Sequence, residues 1–402
     1  MNLFKNYSFK VLLVISLAFC FLLSTTSAYA AELIYSWSDK ASMPDKRAGA
    51  ATVEYQGKLY VFGGTNGNGT GSASGPTSNT SYVYDPATDQ WDTKQAMPTA
   101  RSAASAVVLN NKIYVLGGYN FVSGVLTRVA KMEIYDPETN IWTTGTNLTS
   151  AKAWVGTDVY DGKIYVFGGT NQSNANLTTV ESYNPLTNGW TTLSPIPSVG
   201  GAIGVAQLEG KFYVSGFNNY AFSEYNPQDN SWTNLAESPN KLNAPAVVIK
   251  DSDIYFFGSS ETSLVNVYNT LTNTWGTPFT LSSLKFQVGA VLLNKDIYVV
   301  GGTTGKTGGI SSSLEKLSIT EKLGRAILVI TMTNGIEKEY DLSMSELNNF
   351  IEWYDNKDAG IGKERYGFNK TWNMGPFKAR TEYIVFDKIL TFEVNEYDVV
   401  NP

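Results

Sequence analysis

Short apolar runs bounded by polar turn residues return along this chain at a near-constant interval. Six of them share one order: a lysine or aspartate, an apolar residue, tyrosine, two apolar or small residues, then glycine. They open at Lys58, Lys112, Lys163, Lys211, Asp253 and Asp296, with glycines at 63, 117, 168, 216, 258 and 301. The tyrosine stands three residues before the glycine each time, at Tyr60, Tyr114, Tyr165, Tyr213, Tyr255 and Tyr298. Runs this brief, flanked by turn residues, predict strands. A second element follows each of the first five, a tyrosine with a tryptophan seven residues later. The pairs are Tyr84 and Trp91, Tyr135 and Trp142, Tyr183 and Trp190, Tyr225 and Trp232, and Tyr268 and Trp275. Asp or Asn follows the tyrosine to open a turn, and Pro then presets its φ in four of the five.

A period near 50 residues with a glycine doublet and a later Tyr and Trp resembles the kelch repeat. The resemblance runs from about Ile34 to Thr320. It implies that each repeat is one four-stranded blade, which buries its faces only by stacking on neighbours around an axis. In blade one, strand a is expected near Gly49 to Tyr55, b at Lys58 to Gly63, c at Tyr82 to Asp85 and d around Trp91. Blade six has strands a, b and c but no Tyr–Trp pair after them. An unmatched strand, Ile34 to Trp37, sits at the other end and is trailed by Met43-Pro44 as Trp91 is trailed by Met97-Pro98. That strand is expected to be the outer strand of blade six, which removes two sheet edges. The fold class is therefore all-β: a six-bladed kelch β-propeller over residues 31–321, closed by the N-terminal outer strand, followed by a small α+β C-terminal module over 322–402.

In that module Ala326 to Thr333 reads as a strand, Asn334-Gly335 as a type I′ turn and Ile336 to Leu342 as the return strand. Ser343 and Glu346 form a capping box opening a helix whose apolar face is Leu347, Phe350, Ile351 and Tyr354. Two further strands are expected at Tyr383 to Phe386 and Ile389 to Val394. The module resembles a short one found after repeat domains in exported proteins of Gram-positive bacteria.

Composition sharpens this. Aromatics at 13% and 36 glycines suit strands and turns, and charged residues at 16% argue against long charged helices. Residues 1–30 read as a signal peptide: Lys5 and Lys10, an apolar run Val11 to Leu23, and Ala28-Tyr29-Ala30 as the cleavage site. The alternative is lipid attachment at Cys20. Either way the expected location is secreted or cell-surface associated, with no transmembrane segment in the mature chain. Cys20 is the single cysteine and there is no histidine. Ser-His and Cys-His nucleophiles and the usual zinc or copper sites are thereby excluded, as is the copper centre of kelch-type galactose oxidases. No cofactor and no metal site is expected. A net charge of −6 argues against nucleic acid and anionic lipid as partners.

The candidate site comes from repeat geometry. The b–c and d–a loops share one face of the disc. Eleven residues before each strand-b lysine or aspartate stand Arg47, Arg101, Lys152, Gly200, Leu242 and Lys285. The four cations are expected to ring the channel mouth and recognise a carboxylate or polar glycan, or else to cap neighbouring carbonyls. Two residues on, Gly49, Ala103, Trp154, Ala202, Ala244 and Gln287 include one large aromatic, Trp154, placed to stack on a sugar or to plug the channel. On the b–c loops, Asn120 and Phe121, and Asn219 and Tyr220, mix amides with aromatics as recognition surfaces do. The repeated tyrosines and tryptophans read as core. The functional reading is an extracytoplasmic binding protein for a glycan or protein ligand. The alternative is a His-free sugar mutarotase or epimerase resembling the exported bacterial N-acetylneuraminate mutarotases, which needs an acid facing the channel within reach of Arg47 or Arg101. A third reading is surface assembly through the C-terminal module.

Overall fold

A computed structural model of the chain describes residues 33–66, 75–197, 201, 203–216, 219–259, 262–305, 309–321, 324–370 and 379–398. The signal segment, Gly200 and Ala202 lie outside them. Six antiparallel sheets follow the repeat. Blade one is Ala51–Tyr55, Lys58–Phe62, Ser81–Asp85 and Gln90–Lys94. Blades two, three and four repeat it from Ser105–Leu109, Gly156–Tyr160 and Val205–Leu208 as inner strands. Blade five starts at Ala246–Lys250, and its outer strand is broken into Thr274–Trp275 and Phe279–Thr280. Blade six is Gly289–Leu293, Asp296–Val300 and Leu314–Glu321, with Leu33–Lys40 hydrogen-bonded to the last as its outer strand. Each inner strand touches those of the blades before and after it, and the sixth touches the first.

The repeated aromatics bind blade to blade. Each strand-c tyrosine donates its hydroxyl to a side-chain oxygen five residues on: Tyr84 to Asp89, Tyr135 to Asn140, Tyr183 to Asn188, Tyr225 to Asn230 and Tyr268 to Asn273. All five acceptors hold a positive φ, a conformation that favours Asn and Asp among residues with a side chain. Each tryptophan donates its indole N–H to a carbonyl of the preceding blade's trailing segment: Trp91 to Ala41, Trp142 to Gln95, Trp190 to Thr146, Trp232 to Ser194 and Trp275 to Ala236. Trp37 does the same to Thr280, so the N-terminal strand supplies the indole that blade six lacks. The first glycine of the doublet is needed for contact: at Gly63 (φ +65°) a Cβ would collide with the Arg101 carbonyl of the next blade.

Residues 34–320 form one compact unit and residues 321–402 belong to a second. In the second, Gly324–Met332 is the centre of a three-stranded sheet between Glu337–Ser343 and Ile389–Asp398. Helix Met344–Asp358 opens on the capping box of Ser343 and Glu346 and buries Leu347 and Phe350 in a core with Leu328, Ile330, Tyr340 and Phe368. Two local expectations change. The turn at Asn334-Gly335 is not type I′: Gly335 alone has positive φ, and Met332 N–H donates to Ile336 across a three-residue loop. Strand Arg365–Lys370, unmarked in the sequence reading, pairs with Arg380–Val385.

Candidate functional site

In blades one, two, three and six a d–a residue bridges to a b–c residue of the same blade: Ala48 to Thr65, Ser102 to Tyr119, Ala153 to Thr170 and Phe286 to Thr303. The two loop sets therefore share one face. The channel mouth on that face is drawn by residues at positive φ, Gly49, Ala103, Trp154, Ala244 and Gln287. Backbone bonds link four of them in turn: Gly49 N–H to Gln287 (3.0 Å), Ala103 N–H to Gly49 (2.8 Å) and Trp154 N–H to Ala103 (2.9 Å).

The four cations do not form that ring. Arg47, Arg101, Lys152 and Lys285 are buried and turn into their own blades. Arg101, 1% exposed, binds Glu133 at 2.7 Å and the carbonyls of Gly117 and Lys131. Lys152, fully buried, binds Glu181 at 2.5 Å, and Lys285 binds Glu315 and Ser313. Arg47 binds Asp45 at 2.9 Å, reaches Thr80 and lies over the Tyr82 ring. Burial lowers the Arg101 pKa and Glu133 opposes that shift. The reason for the displacement is the chain reversal two residues later, which gives the mouth to the positive-φ residue and sends the cation inward. The glutamates were missed from sequence, although each stands two residues before the strand-c tyrosine or its counterpart. Where the cation is absent, at Gly200 and Leu242, that glutamate is also absent, replaced by Ser223 and Asn266.

The four b–c loop candidates divide. Tyr119 to Phe121 is not a loop but the first strand of a hairpin, Tyr119–Val122 with Val125–Arg128. Ser123 and Gly124, both at positive φ, make its turn, and the Ser-Gly dipeptide was the available signal. Asn120 spends its amide on the Ala100 carbonyl at 2.9 Å. Arg128, buried over the Tyr119 ring, donates to Thr170, Asn171 and Asn174 of blade three. That docks the hairpin on its neighbour and leaves Val122 and Val125 at its tip, 59% and 63% exposed. Asn219 turns inward, accepting from Ala221 N–H at 3.0 Å, while Tyr220 is 42% exposed. Phe121 and Trp154 pack against the same small cluster of Ala103, Tyr119 and Ala153.

Below the mouth the inner strands enclose a channel of about 610 Å³. Glu54 and Asp158 are the ionisable side chains lining it among the described residues, and no lysine or arginine does. Asp158 accepts from its neighbour Val159 N–H and from Gln207 N–H of the next blade, both at 2.8 Å. Burial raises its pKa to about 6. Glu54 accepts from Gly57 N–H at 2.7 Å. No helix among the described residues is long and apolar enough to cross a membrane.

Residues 19–216 match the model of the KLHDC2/KLHL20/DRC7 Kelch-repeats domain. Among curated proteins the chain is similar to Kelch-like protein 35 of Mus musculus, 30% identical over 147 residues, covering 36% of this chain and 23% of that protein. It is also similar to Kelch-like protein terF of Aspergillus terreus, 30% identical over 155 residues, covering 36% and 32%. Beta-scruin of Limulus polyphemus is 28% identical over 146 residues, covering 36% and 16%. The match thus spans no more than about a third of these relatives' length. The solved structure of YjhT superposes with a TM-score of 0.57 at 18% identity, covering 70% of this chain and 99% of that one, a likeness of fold. With six repeats in sequence, six blades in space and these matches, residues 34–320 carry kelch repeats folded as a propeller.

Proposed function

We propose that this kelch propeller is an extracytoplasmic binding module that recognises a protein ligand on its b–c and d–a loop face. The observation carrying this reading is the blade-two hairpin. Arg128 fixes it from below, while Val122 and Val125 stand exposed at its tip. Apolar groups held on a rigid scaffold make a contact that loses little conformational entropy on binding. Tyr220, also exposed, adds an aromatic to the same face. Export is inferred from the leader at residues 1–30, and cleavage after Ala30 is checked by the mass of the protein recovered from the culture medium.

The mutarotase alternative needs a cation and an acid facing one space. Arg47 and Arg101 pair with Asp45 and Glu133 instead, and none of these four lines the channel. A glycan ligand is tested beside a protein one. Residues 31–402 are screened against a displayed peptide library and a glycan array, with Val122→Ser/Val125→Ser in parallel. Peptides that bind the parent chain and lose at least tenfold with the double variant support the reading. Binders indifferent to those substitutions, or glycans alone, overturn it.

A further inference from the structure

The loop face leaves the axial channel unexplained, and its chemistry is one-sided. Its charged lining groups are carboxylates, Glu54 and Asp158, with no lysine or arginine beside them among the described residues. A narrow space lined by one sign of charge between low-dielectric walls focuses potential along its axis. Such a channel repels carboxylates and phosphates and draws in cations. Asp158 has backbone N–H partners and no ion-pair partner among the described residues, so its charge is hydrogen-bonded but not neutralised. Burial has moved its pKa upward, a cost that the fold bears. A perturbed carboxyl in a cleft is a functional-site candidate on physical grounds.

Trp154 is the second observation. Its counterparts at the mouth are Gly49, Ala103, Ala202, Ala244 and Gln287. A bulky residue at φ +61° holds its backbone under strain. The indole reaches across the mouth, its tip 3.7 Å from where a Cβ on Gly49 would stand. An indole face offers cation–π contact and apolar surface together. Asp158 lies four residues beyond Trp154, on the inner strand Gly156–Tyr160 that lines the channel below the mouth. The ligand that meets both is elongated and carries positive charge. A bare divalent metal fits worse. Hard cations ask for about six or more oxygen ligands, and the described residues gather no group of three acidic, histidine or cysteine side chains.

We propose that the channel binds a linear aliphatic polyamine, with one ammonium group on the Asp158 carboxylate and the alkyl chain running out to the Trp154 ring. This site is separate from the loop-face reading, since Val122 and Val125 do not line it. The test is calorimetric titration of residues 31–402 with spermidine, N1,N8-diacetylspermidine and magnesium chloride, at physiological salt. Saturable one-to-one binding of spermidine, at least tenfold weaker for the diacetyl compound, is expected. Asp158→Asn is expected to weaken it at least tenfold and Trp154→Ala several-fold, while Val122→Ser/Val125→Ser leaves it unchanged. Absence of saturable spermidine binding overturns the proposal. So does equal binding of the diacetyl compound, or affinity unchanged in Asp158→Asn, or displacement by magnesium at equal charge concentration. If Asp158→Asn fails to fold, the diacetyl comparison on the parent chain still decides.

Discussion

Replacing Glu133 with glutamine isolates the buried ion pair of blade two. Glutamine keeps the shape of the side chain and can still accept from Thr99, which donates to Glu133 at 2.6 Å. It removes the charge that balances Arg101, whose guanidinium is 1% exposed and 2.7 Å from the carboxylate. A guanidinium does not shed its proton to escape burial, so the full penalty of an uncompensated charge remains, about 3–5 kcal/mol. The same change at Glu181 leaves the fully buried Lys152 without its carboxylate partner. The chain also contains a neutral solution at these positions, Leu242 and Asn266 in blade five. Grafting it as Arg101→Leu with Glu133→Asn should recover at least ~2 kcal/mol relative to the sum of the single changes. It should not recover everything, because the carbonyls of Gly117 and Lys131 lose a donor. Urea unfolding followed by tryptophan fluorescence, with all variants on one baseline, measures these differences. A cost under ~1 kcal/mol for Glu133→Gln, or a double variant as unstable as the two singles added, would show that Glu133 does not balance a buried charge on Arg101.

Three further outcomes follow from particular contacts. Trp37→Ala removes the indole bond to Thr280 (3.1 Å) beside the stacked Tyr35 and Phe279 rings; it should cost about 3 kcal/mol, and limited proteolysis should release the N-terminal strand first. Asn140→Ala orphans both the Tyr135 hydroxyl and the Gln95 N–H, for a loss of about 1–3 kcal/mol in urea unfolding. Asp158 titrates near 6 in the fold against an ordinary value of 3.8. Between those pH values the folded chain holds a proton that the unfolded chain has lost, so this group's contribution to stability falls as pH rises. The total is about 3 kcal/mol, fully expressed above pH ~6. Asp158→Asn should flatten the parent's stability–pH curve between pH 4 and 6, and an unchanged slope there would contradict the shift.

The blades were legible because their signals are local and repeated. Each strand-c tyrosine and its tryptophan meet equivalent partners in blades one to five, so spacing alone marks them, and Trp37 marks the missing outer strand of blade six. Side-chain direction at the mouth was not legible by the same route. Spacing placed Arg101 and Ala103 on one loop, but only the positive φ of Ala103 decides which of them faces the channel. Yet the repeat carried a second message that position counting passed over. Arg101, Lys152 and Lys285 occur in blades that also carry Glu133, Glu181 and Glu315, and the two blades lacking the cation lack the glutamate. Six blades of one chain act as an alignment of six related structures, and paired loss between two columns is what a direct contact produces. Blade one refines the rule. Its strand-c residue is Tyr82, which donates to Asp45 at 2.5 Å while its ring lies beneath Arg47, so there the carboxylate has moved to the loop. A cation whose partner varies in step with it across blades is held by its own blade and is not free to hold a ligand. By the same test Trp154, whose five counterparts are all smaller, answers to no repeated partner, and a residue that the repeat does not require is the one to examine for function.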